Sequence, residues 1–281
     1  MTAPFHAQGC FCTNLCGTCG EHADALMMFW QANIIRFSFR SWYIRMNKSY
    51  MAEHIQAVIL AAGKGTRMLP LTETRPKPMQ EVLGKNLIEW KLEALPEEIR
   101  DIIIVIGYQG DQIRAYFGDS WKGKQIRYVV QQELNGTAGA LFAARDLLSG
   151  RFLVVMGDDL YTKEDIEAIC REEFAIGVQK IIKKEIGGEM IANADGNFAG
   201  IIEEKHYVED GLQNAGFYML DDRIFAYPLA PIGGSSTEFG LPHTLVALAK
   251  TLPIRMILAT KWLQVTTPED LVRAEEFVKN I

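Results

Sequence analysis

The chain has 281 residues, 48% of them hydrophobic and 23% charged, an ordinary globular balance with enough apolar mass for a sizeable core. Its 29 basic and 35 acidic side chains leave a formal charge of −6, which argues against a broad nucleic-acid surface. No apolar run reaches the roughly eighteen residues that a membrane-spanning helix needs, so no membrane partner is expected.

The first fifty residues differ from the rest. Four of the five cysteines (Cys10, Cys12, Cys16 and Cys19) crowd there, followed by a weakly basic aromatic run, whereas Cys170 stands alone in the body. Residues 1–50 are therefore expected to be an extension outside the folded domain, with 51–281 as one functional unit beginning at Met51. Two alternatives are a zinc clip on Cys-x-Cys-x₃-Cys-x₂-Cys and an exposed disordered segment. The nearly cysteine-free body suits a cytoplasmic protein.

From Met51 onward, short apolar runs alternate with helix-patterned segments. Strands are predicted at Ala57–Leu60, Ile102–Ile106, Ile126–Val130 and Phe152–Met156, with helices near Asn86–Ala94, Gly110–Phe117 and Thr137–Leu148. The strands are β-branched and apolar on both faces, as parallel strands covered by helices should be. A helix near Thr162–Glu172 follows, then strands at Gly177–Lys183, Phe198–Glu203 and Gln213–Leu220, punctuated by Gly187-Gly188 and Ala194-Asp-Gly-Asn197. Helices near Leu241–Ala249 and Pro268–Lys279 close the chain, the last opened by Thr266-Thr267-Pro268-Glu269-Asp270. The alternation predicts a doubly wound, mostly parallel α/β sheet with a mixed, partly antiparallel extension, and ligands at the carboxyl ends of the strands.

Three segments carry chemistry. Leu60-Ala61-Ala62-Gly63-Lys64-Gly65-Thr66-Arg67 leaves the first strand as a glycine-rich loop, and Gly63 and Gly65 are expected to permit positive φ and convergent amides. Arg67 and, within Arg75-Pro-Lys77-Pro-Met79, Lys77 add fixed positive charge; together these features suit a nucleoside triphosphate. A Walker A loop is excluded by Val58, where a glycine would be needed, and a dinucleotide loop by Met68. The second segment is Met156-Gly157-Asp158-Asp159. A carboxylate there faces the crevice and can hold a divalent metal; Asp158 is the expected ligand and Asp159 a partner or turn residue. The third is Gln131 through Gly136-Thr137-Ala138-Gly139-Ala140, where small residues admit a planar group and the Gln131 amide can read a base edge.

In this order and spacing the segments resemble the sugar-1-phosphate nucleotidylyltransferases, or nucleoside-diphosphate-sugar pyrophosphorylases, over essentially Met51 to Ile281. The resemblance implies a Rossmann-like fold and transfer of a nucleotidyl group from a nucleoside triphosphate to a sugar 1-phosphate, with Mg²⁺ as cofactor. It assigns Leu60, Ala61, Ala62, Gly63, Gly65 and Thr66 to nucleoside and phosphates, and Gln131, Gly136 and Thr137 to the base. Arg67, Lys77 and Asp158 take the catalytic positions, and Asp158 the metal. Glu203, Glu204 and Lys205 match a sugar-contacting segment, and Asn214 matches an asparagine that touches sugar hydroxyls. UTP or dTTP and a hexose 1-phosphate are favoured. A guanylyl- or cytidylyltransferase of the same fold, choline phosphate or heptose phosphate as partner, and a non-catalytic nucleotide-sugar-binding regulatory subunit stay open as alternatives, as does a homo-oligomer.

The sequence departs from the family pattern in Trp262-Leu-Gln264-Val-Thr266-Thr-Pro-Glu-Asp270. Related chains place Asp or Asn there as a second metal ligand; Gln264 and Thr266 are weaker donors for a hard cation. The left-handed β-helix of bifunctional relatives is not expected after the last helix.

Overall fold

Alternate residues of an extended chain point to opposite faces, so a strand apolar at every position must be covered twice. Gln56–Ala61 (β1) meets that condition from Ala57 onward and is buried at all six positions. A computed structural model, which describes residues 55–181, 188–203, 211–233 and 236–281, places it inside a ten-stranded sheet. The hairpin Glu81–Val82 (β2) and Lys85–Asn86 (β3) leads into Leu87–Ala94 (α1). Asp101–Ile106 (β4), Gly110–Phe117 (α2), Ser120–Trp121 (β5) and Lys124–Val130 (β6) follow, then Thr137–Ala143 (α3) and Arg151–Met156 (β7).

The second half begins with Asp159–Tyr161 (β8) and Lys163–Cys170 (α4). Ala175–Lys180 (β9), Glu189–Ala192 (β10), Phe198–Ile202 (β11) and Leu212–Asp221 (β12) come next. Leu241–Ala249 (α5), Arg255–Leu258 (β13), Trp262–Gln264 (β14) and Pro268–Lys279 (α6) complete the chain.

The parallel set β7-β1-β4-β6 forms the centre, and β12 adds antiparallel to β7. Ala57, Ile59 and Ala61 of β1 pack with Ile88, Leu92, Ile113 and Ile166, so α1, α2 and α4 cover one face. Val58 and Leu60 pack with Leu141, Leu241 and Leu245, so α3 and α5 cover the other. The sheet is thus doubly wound, as the alternation predicts. The mixed extension is present too: β9 runs antiparallel to β12 and parallel to β13, while β10 pairs antiparallel with β11. A smaller cluster of Met68, Val82, Leu87, Leu160, Val265 and Ala274 joins the hairpin to α6.

Several boundaries differ from the pattern reading. The helix expected through Leu148 ends at Ala143 and tightens into a 3-10 turn at Arg145–Leu147. The strand expected at Gly177–Lys183 starts earlier, at Ala175, and ends at Lys180. The short strands β8, β10, β13 and β14 carry no periodicity that reveals them. The expectations for residues 1–50, for Gly187 and for Glu204 and Lys205 fall outside the described residues. Among the described residues, no helix is long and apolar enough to cross a membrane.

Close approach of β9 to β12 depends on Gly177, where an added Cβ would lie 2.1 Å from a ring carbon of the fully buried Phe217. Gly177→Ala is expected to cost about 1–3 kcal/mol through overpacking, read from the urea unfolding midpoint.

Candidate active site

β1 and β7 end side by side, and their carboxyl ends are pinned where the Gly157 N–H donates to the Leu60 carbonyl at 2.8 Å. A Cβ on Gly157 would lie 2.6 Å from that same oxygen, so only glycine lets the two chains leave the sheet together. One chain then becomes the glycine loop and the other presents Asp158. Gly65 holds φ +64°, and a Cβ there would press on the Lys77 side chain at 2.8 Å. Gly63 corrects the expectation of two left-handed glycines: its φ lies outside that region, and a Cβ on it would meet nothing within 4 Å. Its small size leaves room above the loop rather than bending it.

Lys77 opens a 3-10 turn after the extended Pro76 and points inward, its side chain only 8% exposed. Its Nζ donates to Asp158 Oδ2 at 2.6 Å. Around this pair lies a cavity of about 600 Å³. The loop from Leu60 to Arg67 lines it, with Lys77, Gln131, Gly136, Thr137 and Asp158. Arg67, Lys77 and Asp158 therefore open onto one cleft, together with every residue assigned to the nucleotide. Lys64, Glu238, Gln264 and Thr266 also line it.

The base side is built by backbone. Gly136 holds φ +99°, and a Cβ on it would strike the Phe239 carbonyl oxygen at 2.5 Å. That closeness lets the Phe239 N–H donate to the Asn135 carbonyl at 2.7 Å and the Ala138 N–H donate to the Phe239 carbonyl at 3.0 Å. Thr137 Oγ1 accepts from the Leu241 N–H at 3.0 Å. Glu238 is carried to the rim by this stapling, which sequence reasoning missed because no local motif announces it. Gln131 Nε2 donates to Asn135 Oδ1 at 3.0 Å and to the Gly136 carbonyl at 3.1 Å. Both amide N–H groups are thereby engaged, leaving Oε1 as the group it can offer a ligand.

The sugar-side assignments stand apart from this lining. Asn214 Nδ2 donates to the Tyr218 hydroxyl at 2.7 Å and its Oδ1 accepts from the Gly216 N–H at 3.0 Å, so its amide shapes the bend in β12. Glu203 Oε1 lies 3.2 Å from His243 Nε2 on α5.

Behind Asp158 sits a buried polar group. Asp159 is 1% exposed; its Oδ2 accepts from the Trp262 Nε1–H at 3.0 Å, and its Oδ1 has no hydrogen-bond partner among the described residues. Burial, reinforced by the neighbouring Asp158 charge, pushes the Asp159 carboxyl up to about 8. Lys91 on α1 is buried as well, its Nζ donating to the Leu87 carbonyl at 3.0 Å. Burial pulls this ammonium down to about 8 against the attraction of Asp158 and Asp159. Lys91 repeats the spacing of Leu87, Ile88 and Leu92, so the helical period could have found it on the inner face.

The donor set for a cation is sparse. Among the described residues no three His, Cys, Asp or Glu side chains cluster as a metal cage. β14 pairs antiparallel with β8, placing Gln264 opposite Asp159, and the Val265 N–H donates to the Asp158 carbonyl at 3.3 Å. Asp158, the Gln264 amide and the Thr266 hydroxyl thus border one place. That set fits Mg²⁺ in the mode where one carboxylate and substrate phosphates share the ion.

The nucleotidyl transferase family model matches residues 56–281, and the chain belongs to that family of enzymes. It is 32% identical over 231 residues to the bifunctional protein GlmU of Methanococcus maripaludis, covering 80% of this chain and 55% of that protein. The UTP–glucose-1-phosphate uridylyltransferase AglF of Haloferax volcanii is 29% identical, covering 79% of this chain and 96% of AglF. A Bacillus anthracis crystal structure, described as a glucose-1-phosphate thymidylyltransferase in complex with a sucrose, superposes with a TM-score of 0.69. It shares 22% identity and covers 81% of this chain and 96% of that one, which supports the fold alone. The chain spans about half the length of the bifunctional relatives it matches.

Because the raised Asp159 holds a proton that the unfolded chain releases near pH 4, its contribution to stability is complete below about pH 4. That contribution is lost as pH rises through about 8. Between about pH 5 and pH 8 the wild-type melting temperature is expected to fall relative to that of Asp159→Asn, measured by parallel thermal melts. Two parallel curves would remove the raised carboxyl.

Proposed function

We propose that residues 51–281 form a sugar-1-phosphate nucleotidylyltransferase domain that joins a nucleoside triphosphate to a sugar 1-phosphate and releases pyrophosphate. One observation carries the proposal: the glycine loop, Arg67, Lys77 and Asp158 line a single cavity of about 600 Å³. Family membership supports the reaction class.

In this reading an oxygen of the sugar phosphate attacks the α-phosphorus. A new P–O bond forms, the bond between the α-phosphorus and its bridging oxygen breaks, and the electron pair leaves on pyrophosphate. The nucleophile is already anionic, so no general base is called for. The protein's task is to gather two polyanions and stabilise charge on the leaving group. Loop amides from Ala62 to Thr66 cradle phosphate oxygens, Arg67 neutralises the triphosphate, and Lys77 faces the α-phosphate. Asp158, with Gln264 and Thr266 beside it, would hold Mg²⁺, which supplies further charge neutralisation when bound.

For the base, Gln131 Oε1 is an acceptor that matches the N3–H of uracil or thymine. AglF, named for UTP and glucose 1-phosphate, supports the same choice. Glu203, Glu204, Lys205 and Asn214 belong to the proposed sugar side. A cytoplasmic location is part of the same proposal. The second reading, a non-catalytic subunit that binds nucleotide sugar, draws on the neutral Gln264 and Thr266 beside Asp158.

Pyrophosphate release across the four ribonucleotides and dTTP, against a panel of sugar 1-phosphates, tests the reaction. Turnover is expected with UTP or dTTP and a hexose 1-phosphate. Arg67→Ala and Asp158→Asn are each expected to lower kcat/KM about 10²–10³-fold, the scale for losing one preorganised electrostatic contact. Tight nucleotide-sugar binding without turnover for any pair would select the second reading.

A further inference from the structure

Between Arg67 and Lys77 the chain runs as a strap, residues 69–75, exposed at every position except Thr72. Apolar burial does little to fix so exposed a segment, so its hold rests on hydrogen bonds. The Thr72 hydroxyl donates to the Gly65 carbonyl at 3.0 Å. Among the described residues, the side-chain donors to the strap's carbonyls are three glutamines. Gln80, just beyond Lys77, reaches Leu71 and Arg75 at 3.4 and 3.0 Å. The other two come from the start of α2, a separate segment. Gln109 Nε2 donates to the Glu73 carbonyl at 2.8 Å, with the Thr72 carbonyl beside it at 3.3 Å. Gln112 Nε2 donates to the Thr74 carbonyl at 2.9 Å and to Gln109 Oε1 at 3.1 Å, so the two amides act together.

The backbone of Gln109 needs a cause. Its φ is +53°, in the left-handed region that residues with a Cβ rarely adopt. Two other described non-glycine residues share that region, Leu83 and Lys122. Each precedes a glycine in a two-residue hairpin loop, where the turn itself demands positive φ. Gln109 lies in no hairpin. It precedes α2, and its side chain makes no capping bond to that helix. The turn that carries it is anchored to the sheet: the Tyr108 N–H donates to the Ala62 carbonyl at 3.0 Å. A Cβ on Gly107 would lie 2.7 Å from that same oxygen. A strained residue on an anchored base, with its side chain engaged on a neighbouring segment, has the form of a positioning device.

We infer that Gln109, with Gln112, is a positioning residue that clamps the 69–75 strap and so holds Arg67 and Lys77 in register with each other. The inference rests on the proposed reaction for the identity of the polyanion those cations meet. Thr72 ties the near end of the strap to the glycine loop, and Gln80 ties its far end beside Lys77. Glu73 and Thr74 are left to Gln109 and Gln112. Because the strap links the two cations directly, loosening its middle shifts them relative to one another.

Gln109→Gly separates backbone from side chain, since it relieves the left-handed strain while removing the amide. Its melting temperature is expected within about 2 °C of wild type, relief of strain offsetting the lost hydrogen bonds. Its kcat/KM for the nucleotide is expected to fall about 10–10²-fold, the scale of a misplacement near 1 Å, with the KM for the sugar 1-phosphate unchanged. Gln109→Asn tolerates positive φ but is one methylene shorter, and is expected to show the same defect. Gln112→Ala, on the exposed face of α2, is expected to show a smaller one. Calorimetric titration with inorganic triphosphate needs no turnover; binding is expected to weaken about tenfold in both Gln109 variants, the scale of one misaligned hydrogen bond to a charged group. Wild-type triphosphate affinity and kcat/KM in Gln109→Gly would overturn the inference. So would a rise in KM for both substrates with a fall of about 8 °C or more in melting temperature, the mark of general loosening. Weakened triphosphate binding in the variants, with no turnover by the wild type for any substrate pair, would support the clamp and count instead against the proposed reaction.

Discussion

A buried ammonium and a partly buried carboxylate, Lys77 and Asp158, meet at 2.6 Å across 81 residues of sequence. Each is delivered by a segment leaving the carboxyl end of a neighbouring central strand, β1 or β7, so their encounter depends on the parallel pairing of those strands. A parallel pair aligns its carboxyl ends, and in an open α/β sheet that edge is where ligands bind. The ion pair is thus a consequence of sheet direction. It also keeps two charges poised in a place that water reaches poorly, where either alone would be costly.

Behind that pair the protein tolerates a second, less balanced group. Among the described residues, Asp159 accepts from Trp262 but keeps one oxygen without a partner, while Lys91 donates to a backbone carbonyl. Packing alone would favour apolar residues at both positions. Their presence gives Asp158 a polar backing, with β8 and β14 fixing its main chain through the Val265 N–H. A carboxylate with its backbone so held has few alternative directions.

Much of this could be read from the chain. β1, β4 and β7 are continuous apolar runs whose burial leaves little else for them to be. The Gly110–Phe117 and Leu241–Ala249 helices fall where the 3.6-residue period puts them, and the last helix begins at Pro268 behind a Thr267–Asp270 capping box. The glycine loop, Gln131 and Asp158 stand out as candidates because each follows a strand end, and Lys77 because its charge sits in the proline-flanked Arg75–Met79 segment. Other features depend on contacts between distant segments. The three-residue strands β8 and β14 are too short to show a period and exist because Trp262 pairs with Tyr161. Glu238 reaches the rim only through the stapling of Phe239 to Asn135. The Asn214 amide makes hydrogen bonds that close on the bend of β12, which no local period announces.

The cavity divides its labour between main chain and side chain. Its shape is set by backbone: Gly65 turning against Lys77, Gly157 against Leu60, Gly136 against Phe239. These contacts tolerate no added carbon, so the form of the site is coupled to the fold itself. Its charge is set by a few side chains on the rim, Lys64, Arg67, Asp158, Glu238 and Gln264, whose exchange would leave the sheet and its stapled loops in place. A neutral amide at Gln264 is therefore a change the architecture can accommodate locally. Its effect falls on which ion or anion the cavity attracts, because electrostatic attraction depends on the sum of nearby charge while the loops keep the same outline. Selectivity can thus vary within a fixed backbone mould, with the Lys77–Asp158 contact as the point where mould and charge meet.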